Sequence, residues 1–202
     1  MECTSKRFSF SALKPIEMKP FLRVDDNIAL HLARHELADA VFVAIDENRD
    51  YLRQWLPWVD GTRSVDDTKT FIKESMQHNS DGSRLTMFIT FGGHLAGSIG
   101  VVNFNREHRK CEVGYWLRED LQGRGIVTKA LAALADFLFE NKGMNRIEVQ
   151  VMVGNARSRA VPLRLGFQLE GVLRQALFMY QSFHDVALFS LLKSDWIQRQ
   201  HV

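Results

Sequence analysis

The run Glu112-Val113-Gly114-Tyr115-Trp116-Leu117, followed by Leu121-Gln122-Gly123-Arg124-Gly125-Ile126-Val127-Thr128, reads as strand, turn and helix. Its first half mixes aromatic and branched residues as a half-buried strand does. Its second half opens a long helical pattern, Ala130 to Glu140, directly after two glycines. The turn therefore sits at a helix N-terminus, where free N–H groups and the positive end of the helix dipole suit a phosphate or pyrophosphate. Gly123 and Gly125 let ligand oxygens approach the main chain.

Two common phosphate patterns do not fit. The dinucleotide fingerprint needs a third glycine at fixed spacing and an acidic residue ending the next strand, and neither is clear here. A P-loop is excluded because Gly-Lys-Ser/Thr is missing. The order Gln122-x-x-Gly125-x-Val127 instead resembles the acyl-CoA pyrophosphate turn of the GNAT N-acetyltransferases, usually Gln/Arg-x-x-Gly-x-Gly/Ala. Val127 departs from that pattern, and a bulky residue there resembles the branch of the ribosomal-protein N-terminal acetyltransferases RimJ and RimL.

A chain of 202 residues that is 46% hydrophobic supports one domain with a sizeable core, expected over residues 21–202 after an arm at 1–20. The net charge of +2 and the lack of a Lys/Arg-rich block give no reason to propose nucleic-acid binding. Cys3 and Cys111 offer neither zinc spacing nor a disulfide framework, so no metal is expected. No apolar run approaches the roughly 20 residues of a spanning helix, and no secretory h-region is visible. A cytoplasmic location without a membrane partner is the resulting expectation.

Around the central stretch the chain divides as follows. The arm, with Pro15 and Pro20, carries at most one short strand and is expected to be partly mobile. Phe21 to Ala33, with Asp25-Asp26-Asn27 in its middle, is a hairpin or a strand entering a helix, with Ile28 to Leu32 the better strand. Leu37, Val41, Phe42 and Ile45 mark a first amphipathic helix. Pro57 is expected to end a short helix. Ser64 and Asp67 open a second helix, which stops between Asn79 and Gly82. Leu85–Phe91, Leu95–Phe104 and Cys111–Leu117 form an antiparallel meander, with irregularities at Gly97 and Gly100. Arg146 to Val153 is a strand, Asn155 starts a helix ending at Gly166, and Phe167–Arg174 and His184–Leu192 are two last strands.

This order resembles the GNAT fold over about Phe21 to Trp196. The resemblance is strengthened by Val153-Gly154-Asn155-Ala156-Arg157-Ser158-Arg159-Ala160-Val161 with Leu165-Gly166-Phe167, and by Tyr180 to Leu192. It implies an α+β (mixed α/β) fold: a mostly antiparallel central sheet with one splayed parallel pair, flanked by helices. Acetyl-CoA would lie in the splay. Tyr115, Trp116 and Leu117 would pair with its pantetheine, while Gln122, Gly123, Arg124, Gly125, Ile126, Val127 and Thr128 would hold its pyrophosphate. A bulge near Gly114 or Tyr115 would aim an N–H at the thioester oxygen, usually a large catalytic contribution. The resemblance also gives Asn155 a pantetheine contact and makes Ser158 the acid for the departing thiolate.

Other readings of these residues stay open. Asn155 is also a favoured helix cap, and Ser158 is equally a local backbone partner. Pro162 lacks the N–H that would bond the Ser158 carbonyl, so the backbone there is expected to be distorted or solvated. Tyr180 is the competing acid. Glu112, two residues before Gly114, is the first candidate for the base that removes a proton from the acceptor amine, or else a solvent-facing carboxylate. Some RimL-like members carry an acid near the position of Leu177, which this chain lacks.

Trp55 and Trp58 each cap the core or wall the acceptor pocket, the core reading favoured for Trp55, and Asn103 is a weaker acceptor contact or a turn-forming amide. His184 and Asp185 point to opposite faces of a strand, so His184 is structural or positions substrate. Cys111 is core filler.

The residues and the resemblance together predict direct acetyl transfer from acetyl-CoA to a primary amine, foremost a ribosomal-protein N-terminus, without a covalent acyl-enzyme. A homodimer is compatible with the resemblance. Two alternatives stay open: a polyamine or aminoglycoside acceptor held by Asp60, Asp66 and Asp67, and a non-catalytic acyl-CoA sensor.

Overall fold

Turn chemistry sets the first elements of the computed structural model, which describes residues 15–200. Residues 1–14 of the expected arm lie outside it. Of the rest, the Ile16 N–H donates to the Gly93 carbonyl at 2.8 Å, and Ile16 and Met18 pack on the core. Asp25 accepts hydrogen bonds from the N–H groups of Asn27 and Ile28, folding β1 (Leu22–Arg23) onto β2 (Ile28–Leu32) as a hairpin. A 3-10 turn at His35–Leu37 precedes α1 (Ala38–Asp46), and α2 (Arg49–Leu52) is a single turn.

Pro57 does not end a helix as expected. It opens a 3-10 turn, Pro57–Gly61, where a missing N–H costs nothing because the first turn has no partner for it. The Ser64/Asp67 capping box then starts α3 (Val65–Asp81), which stops at Gly82 with φ of +69°.

The remaining elements are β3 (Leu85–Phe91), β4 (His94–Asn105), β5 (Lys110–Leu117), α4 (Ile126–Glu140), β6 (Arg146–Met152), α5 (Ala156–Arg164), β7 (Gln168–Met179), β8 (Ser182–Leu192) and α6 (Lys193–Gln200). The last two strands run on to a two-residue turn, Tyr180-Gln181, with φ of +50° and +60°, instead of leaving a longer connection. Left-handed backbone at non-glycine residues hid that turn from a reading by residue type. The strands form one sheet in the order β1-β2-β3-β4-β5-β6-β8-β7, antiparallel except for β5 and β6.

Leu131, Leu134, Ala135 and Leu138 of α4 are wholly buried in one core, with Met87, Ile99, Val113, Ile147 and Phe189 from the sheet. Val41 and Ala44 of α1 and Ile72 of α3 bury the opposite face against Phe88 and Leu95. Side-chain alternation makes both layers possible, since Met87 and Phe88 point to opposite faces.

Two register shifts matter. In β4 the residue Ala96 is extra between Leu95↔Thr90 and Gly97↔Ile89, so Gly97 sits beside a bulge as expected. Gly100 pairs regularly, correcting its reading as an irregularity; its Cβ would lie 1.9 Å from the Leu85 carbonyl oxygen, so it answers a close backbone approach. The second shift is at Val102, between Val101↔Val113 and Asn103↔Glu112. Gly100→Ala is therefore expected to destabilise the fold by about 3 kcal/mol, read from the urea midpoint at unchanged m-value. A loss under 1 kcal/mol would refute the close approach.

Candidate active site

Strands β5 and β6 pair for three residues only, at Lys110↔Arg146, Cys111↔Ile147 and Glu112↔Glu148. Beyond that point β5 stays on β4 and β6 stays on β8, so their facing edges part. A cavity of about 1060 Å³ fills the parting. Tyr115, Trp116 and Leu117 line one side, Val149 to Met152 the other, and Gln122 to Thr128 and Asn155 to Ser158 contribute the mouth, Arg124 and Ala156 excepted. The unpaired edge of β5 can accept an extended, amide-bearing chain as if it were another strand.

Register is continuous from Val113 to Leu117, so the bulge expected at Gly114 or Tyr115 is absent. The extra residue lies on the neighbouring strand, at Val102, where its Cγ1 would meet a Cβ on Gly114 at 3.4 Å. A bulge bends and twists the pair that carries it. This one sits opposite Glu112 and Val113, where β5 leaves β6.

The glycine turn closes one end of the cavity. Gly123 and Gly125 adopt φ of +74° and +73°, and Gly125 is the N-cap of α4. Lys129 is the first residue to bond back, its N–H donating to the Gly125 carbonyl at 3.0 Å. The N–H groups of Ile126, Val127 and Thr128 thus precede the helical ladder and have no partner within it. Val127 is 8% exposed and packs into the α4 core, which explains why a bulky residue fits the last position of the motif. Gln122 accepts a hydrogen bond from Arg157, linking the turn to α5 across the cavity mouth. Arg124 lies over the Phe91 ring at 5.9 Å.

Asn155 caps α5, its Oδ1 accepting from the Ser158 N–H at 3.1 Å, while it also lines the cavity. Ser158 lines the cavity too. Its carbonyl, deprived of a helical donor by Pro162, is not left to solvent. The Tyr115 hydroxyl donates to it at 3.0 Å, and the Ser158 hydroxyl donates to the Tyr115 oxygen at 3.3 Å. Burial pushes the Tyr115 phenol up to about 12, so it stays protonated as a donor.

Glu112 does not line the cavity; Gln150 stands between, its Nε2 donating to Glu112 Oε2 at 3.3 Å. Burial and the neighbouring Glu148 raise the Glu112 carboxyl above its ordinary value, against an opposing pull from Lys110. Glu148 itself is bound by Arg146 at 2.7 Å and Lys110 at 3.4 Å. Glu112 is thereby a half-buried carboxylate of raised basicity one side chain behind the cavity.

The sequence matches a family described as Acetyltransferase (GNAT) domain over residues 28–168. This chain belongs to the GNAT acetyltransferases. YdaF of Bacillus subtilis (strain 168), which bears the name of a ribosomal N-acetyltransferase, is 33% identical over 86% of this chain and 96% of its own. The ribosomal-protein-serine acetyltransferase of Escherichia coli (strain K12) is 31% identical over 86% of this chain and 97% of its own. The structure of RimL, a ribosomal L7/L12 alpha-N-protein acetyltransferase, in complex with coenzyme A superposes with a TM-score of 0.83 at 25% identity, covering 86% of this chain and 98% of that one. The acetyl donor of this GNAT enzyme is acetyl-CoA, and the parted edges, the glycine turn and the cavity volume fit it.

Other predicted site residues stand further off. Tyr180 is in the β7–β8 turn, 46% exposed, with the Arg53 guanidinium 5.2 Å from its ring, and does not line the cavity. Trp58, Asn103 and His184 do not line it either. Trp58 reaches it only through Trp116, ring to ring at 6.4 Å, and Asn103 lies beside the Val102 bulge. On β8 His184 stands opposite Leu177 in register, while the Asp185 carboxylate accepts from the Gln175 N–H. Trp55, read as a core cap, forms part of the cavity wall with Tyr51 and Leu56. Cys111 is 2% exposed, and burial pushes its thiol up to about 12, an inert filler.

Gly125→Ala would impose a left-handed conformation on a residue with a Cβ, at about 1–2 kcal/mol. Acetyl-CoA affinity by calorimetry is expected to fall about tenfold with an unchanged circular-dichroism spectrum. Unaltered affinity would remove the turn from the binding site.

Proposed function

We propose that this GNAT enzyme acetylates the N-terminal amine of a protein, with a ribosomal protein as acceptor, by direct attack on acetyl-CoA. The observation that carries the choice of acceptor is that Asp60, Asp66 and Asp67, the carboxylates that could have held a polycation, do not line the cavity, where Glu119 is the one acidic residue among the described residues. A polycation needs several free carboxylates converging on it. Asp60 is held by the Arg53 guanidinium at 3.0 and 3.1 Å, Asp66 by Lys69 at 2.8 Å, and Asp67 by the Ser64 cap. The apolar and aromatic wall of Tyr51, Trp55, Leu56 and Trp116 suits a peptide end better than a polyamine. Relatives named as ribosomal-protein acetyltransferases support the same acceptor.

In this reading pantetheine lies along Tyr115 to Leu117, with its pyrophosphate at the α4 N-terminus. Glu112 takes a proton from the acceptor ammonium through a water beside Gln150, freeing the amine lone pair that attacks the thioester, a role its raised basicity favours. Ser158 gives its hydroxyl proton to the departing sulfur and regains one from solvent. Tyr180 is poorly placed to be the acid, because it lies outside the cavity lining.

Two matched peptides test the acceptor, one with a free N-terminal serine or alanine, the other blocked at the N-terminus and carrying an internal lysine. Mass spectrometry is expected to find acetyl only on the free terminus. Acetyl on the lysine, or on neither peptide, rejects the reading. Glu112→Gln is expected to lower kcat/KM by about 100-fold. In the wild type, kcat/KM should fall with decreasing pH through a Glu112 ionisation above the ordinary glutamate value, since protonation removes the base. Loss of that inflection in Glu112→Gln identifies the base; its persistence assigns it to another group.

A further inference from the structure

Proline inside a helix normally leaves a carbonyl four residues back to water or to a kink. Pro162 lies inside α5, yet the Ser158 carbonyl is bonded, by a phenol from a different element. Tyr115 stands on β5, and α5 follows β6, so its side chain spans the two walls that part to form the cavity. The contact is doubled, since the Ser158 hydroxyl rests on the same phenol oxygen. That hydroxyl has one proton. It can turn from the Tyr115 oxygen into the cavity with no heavy atom moving, because the phenol keeps its own proton on the carbonyl.

We propose that Tyr115 is a positioning residue for the leaving group: its hydroxyl replaces the helical N–H that Pro162 removes, and so fixes the backbone and hydroxyl of Ser158 toward the coenzyme sulfur. The inference rests on the reading of Ser158 as the group that meets that sulfur. It assigns Tyr115 a side-chain task separate from the backbone contact with pantetheine. It also gives Pro162 a purpose, since an ordinary residue there would satisfy the carbonyl locally and leave α5 without its tie to β5. The phenol's high pKa suits the task, because a donor that ionised near neutral pH would release the carbonyl.

The test needs no acceptor. Coenzyme A itself is bound to the enzyme and its thiol titrated by thiolate absorbance, against the unliganded protein as blank. A hydroxyl aimed at sulfur favours the thiolate, so the wild-type midpoint should lie below that of free coenzyme A. Ser158→Ala is expected to raise the midpoint by roughly one pH unit. Tyr115→Phe, which keeps the ring, should raise it by more than half as much without weakening coenzyme A binding beyond about threefold. Adding Pro162→Ala to Tyr115→Phe returns an N–H to the Ser158 carbonyl and should recover at least half of the loss. Tyr115→Phe added to Ser158→Ala should change nothing further.

A shift in Ser158→Ala with none in Tyr115→Phe overturns the role of Tyr115 while leaving Ser158 as read. No shift in Ser158→Ala overturns the reading of Ser158 and the proposal with it. A Tyr115→Phe shift that Pro162→Ala does not reverse rejects the carbonyl as the point of action.

Discussion

Three residues of parallel pairing between β5 and β6 are the constraint on which the site depends. Longer pairing would close the cavity; none would leave two half-sheets with no common register. Cys111 and Ile147, buried under α4, hold the joined end, while the Val102 bulge bends β5 away at Glu112. The exposed edge of β5 that results is normally a liability, because unpaired N–H and C=O groups invite another strand. Here the cavity and the glycine turn at its end give that edge a ligand-sized occupant instead. Close packing of β4 on both neighbours supports the bend: Gly97 lies against the Trp116 carbonyl and Gly100 against that of Leu85, positions where a side chain has no room.

Among the described residues, several carboxylates of the sheet and its flanks are held by cations. Arg146 binds Glu148 and Glu170 together, and Glu170 is held down to about 2 by that guanidinium and by Ser190. Asp60 is lowered by Arg53 in the same way. The exposed Arg53–Asp60 pair contributes little to stability by itself. Glu112, by contrast, has an amide partner and faces a Glu148 already bound by cations. A carboxylate without its own guanidinium keeps the basicity that a strongly paired one loses.

Periodic and punctuating signals were legible in the sequence, and those that depend on a distant partner were not. The Ser64 cap, the Gly82 stop, the α4 glycine turn and the Asn155 cap are local, and each residue specifies its own geometry. Tyr180-Gln181 was not readable as a tight turn because its left-handed backbone falls on residues that rarely adopt it. Gly100 was misread for a related reason: a glycine required by a neighbouring strand looks the same as one required by a bulge. In the site, the glycine turn at the α4 N-terminus was legible from local spacing, and its assignment to acyl-CoA from the family resemblance. Gln150, Trp55 and Arg157 were not, since each meets the cavity only once β6, the α2 region and α5 are folded around it.

Pro162 shows how a local defect and a long-range contact become one device. The residue announces an unsatisfied carbonyl at Ser158, but nothing local says where the donor comes from. An interior proline costs a helix about 3 kcal/mol, whereas a single neutral hydrogen bond offsets about 1 kcal/mol. Tyr115 therefore cannot restore what an unbroken α5 would have had. The exchange is one of stability for geometry, because a bond from β5 couples the helix bearing Ser158 to the strand edge that lines the opposite wall. A backbone N–H from within α5 would have satisfied the same oxygen and left the spacing of those walls to packing alone.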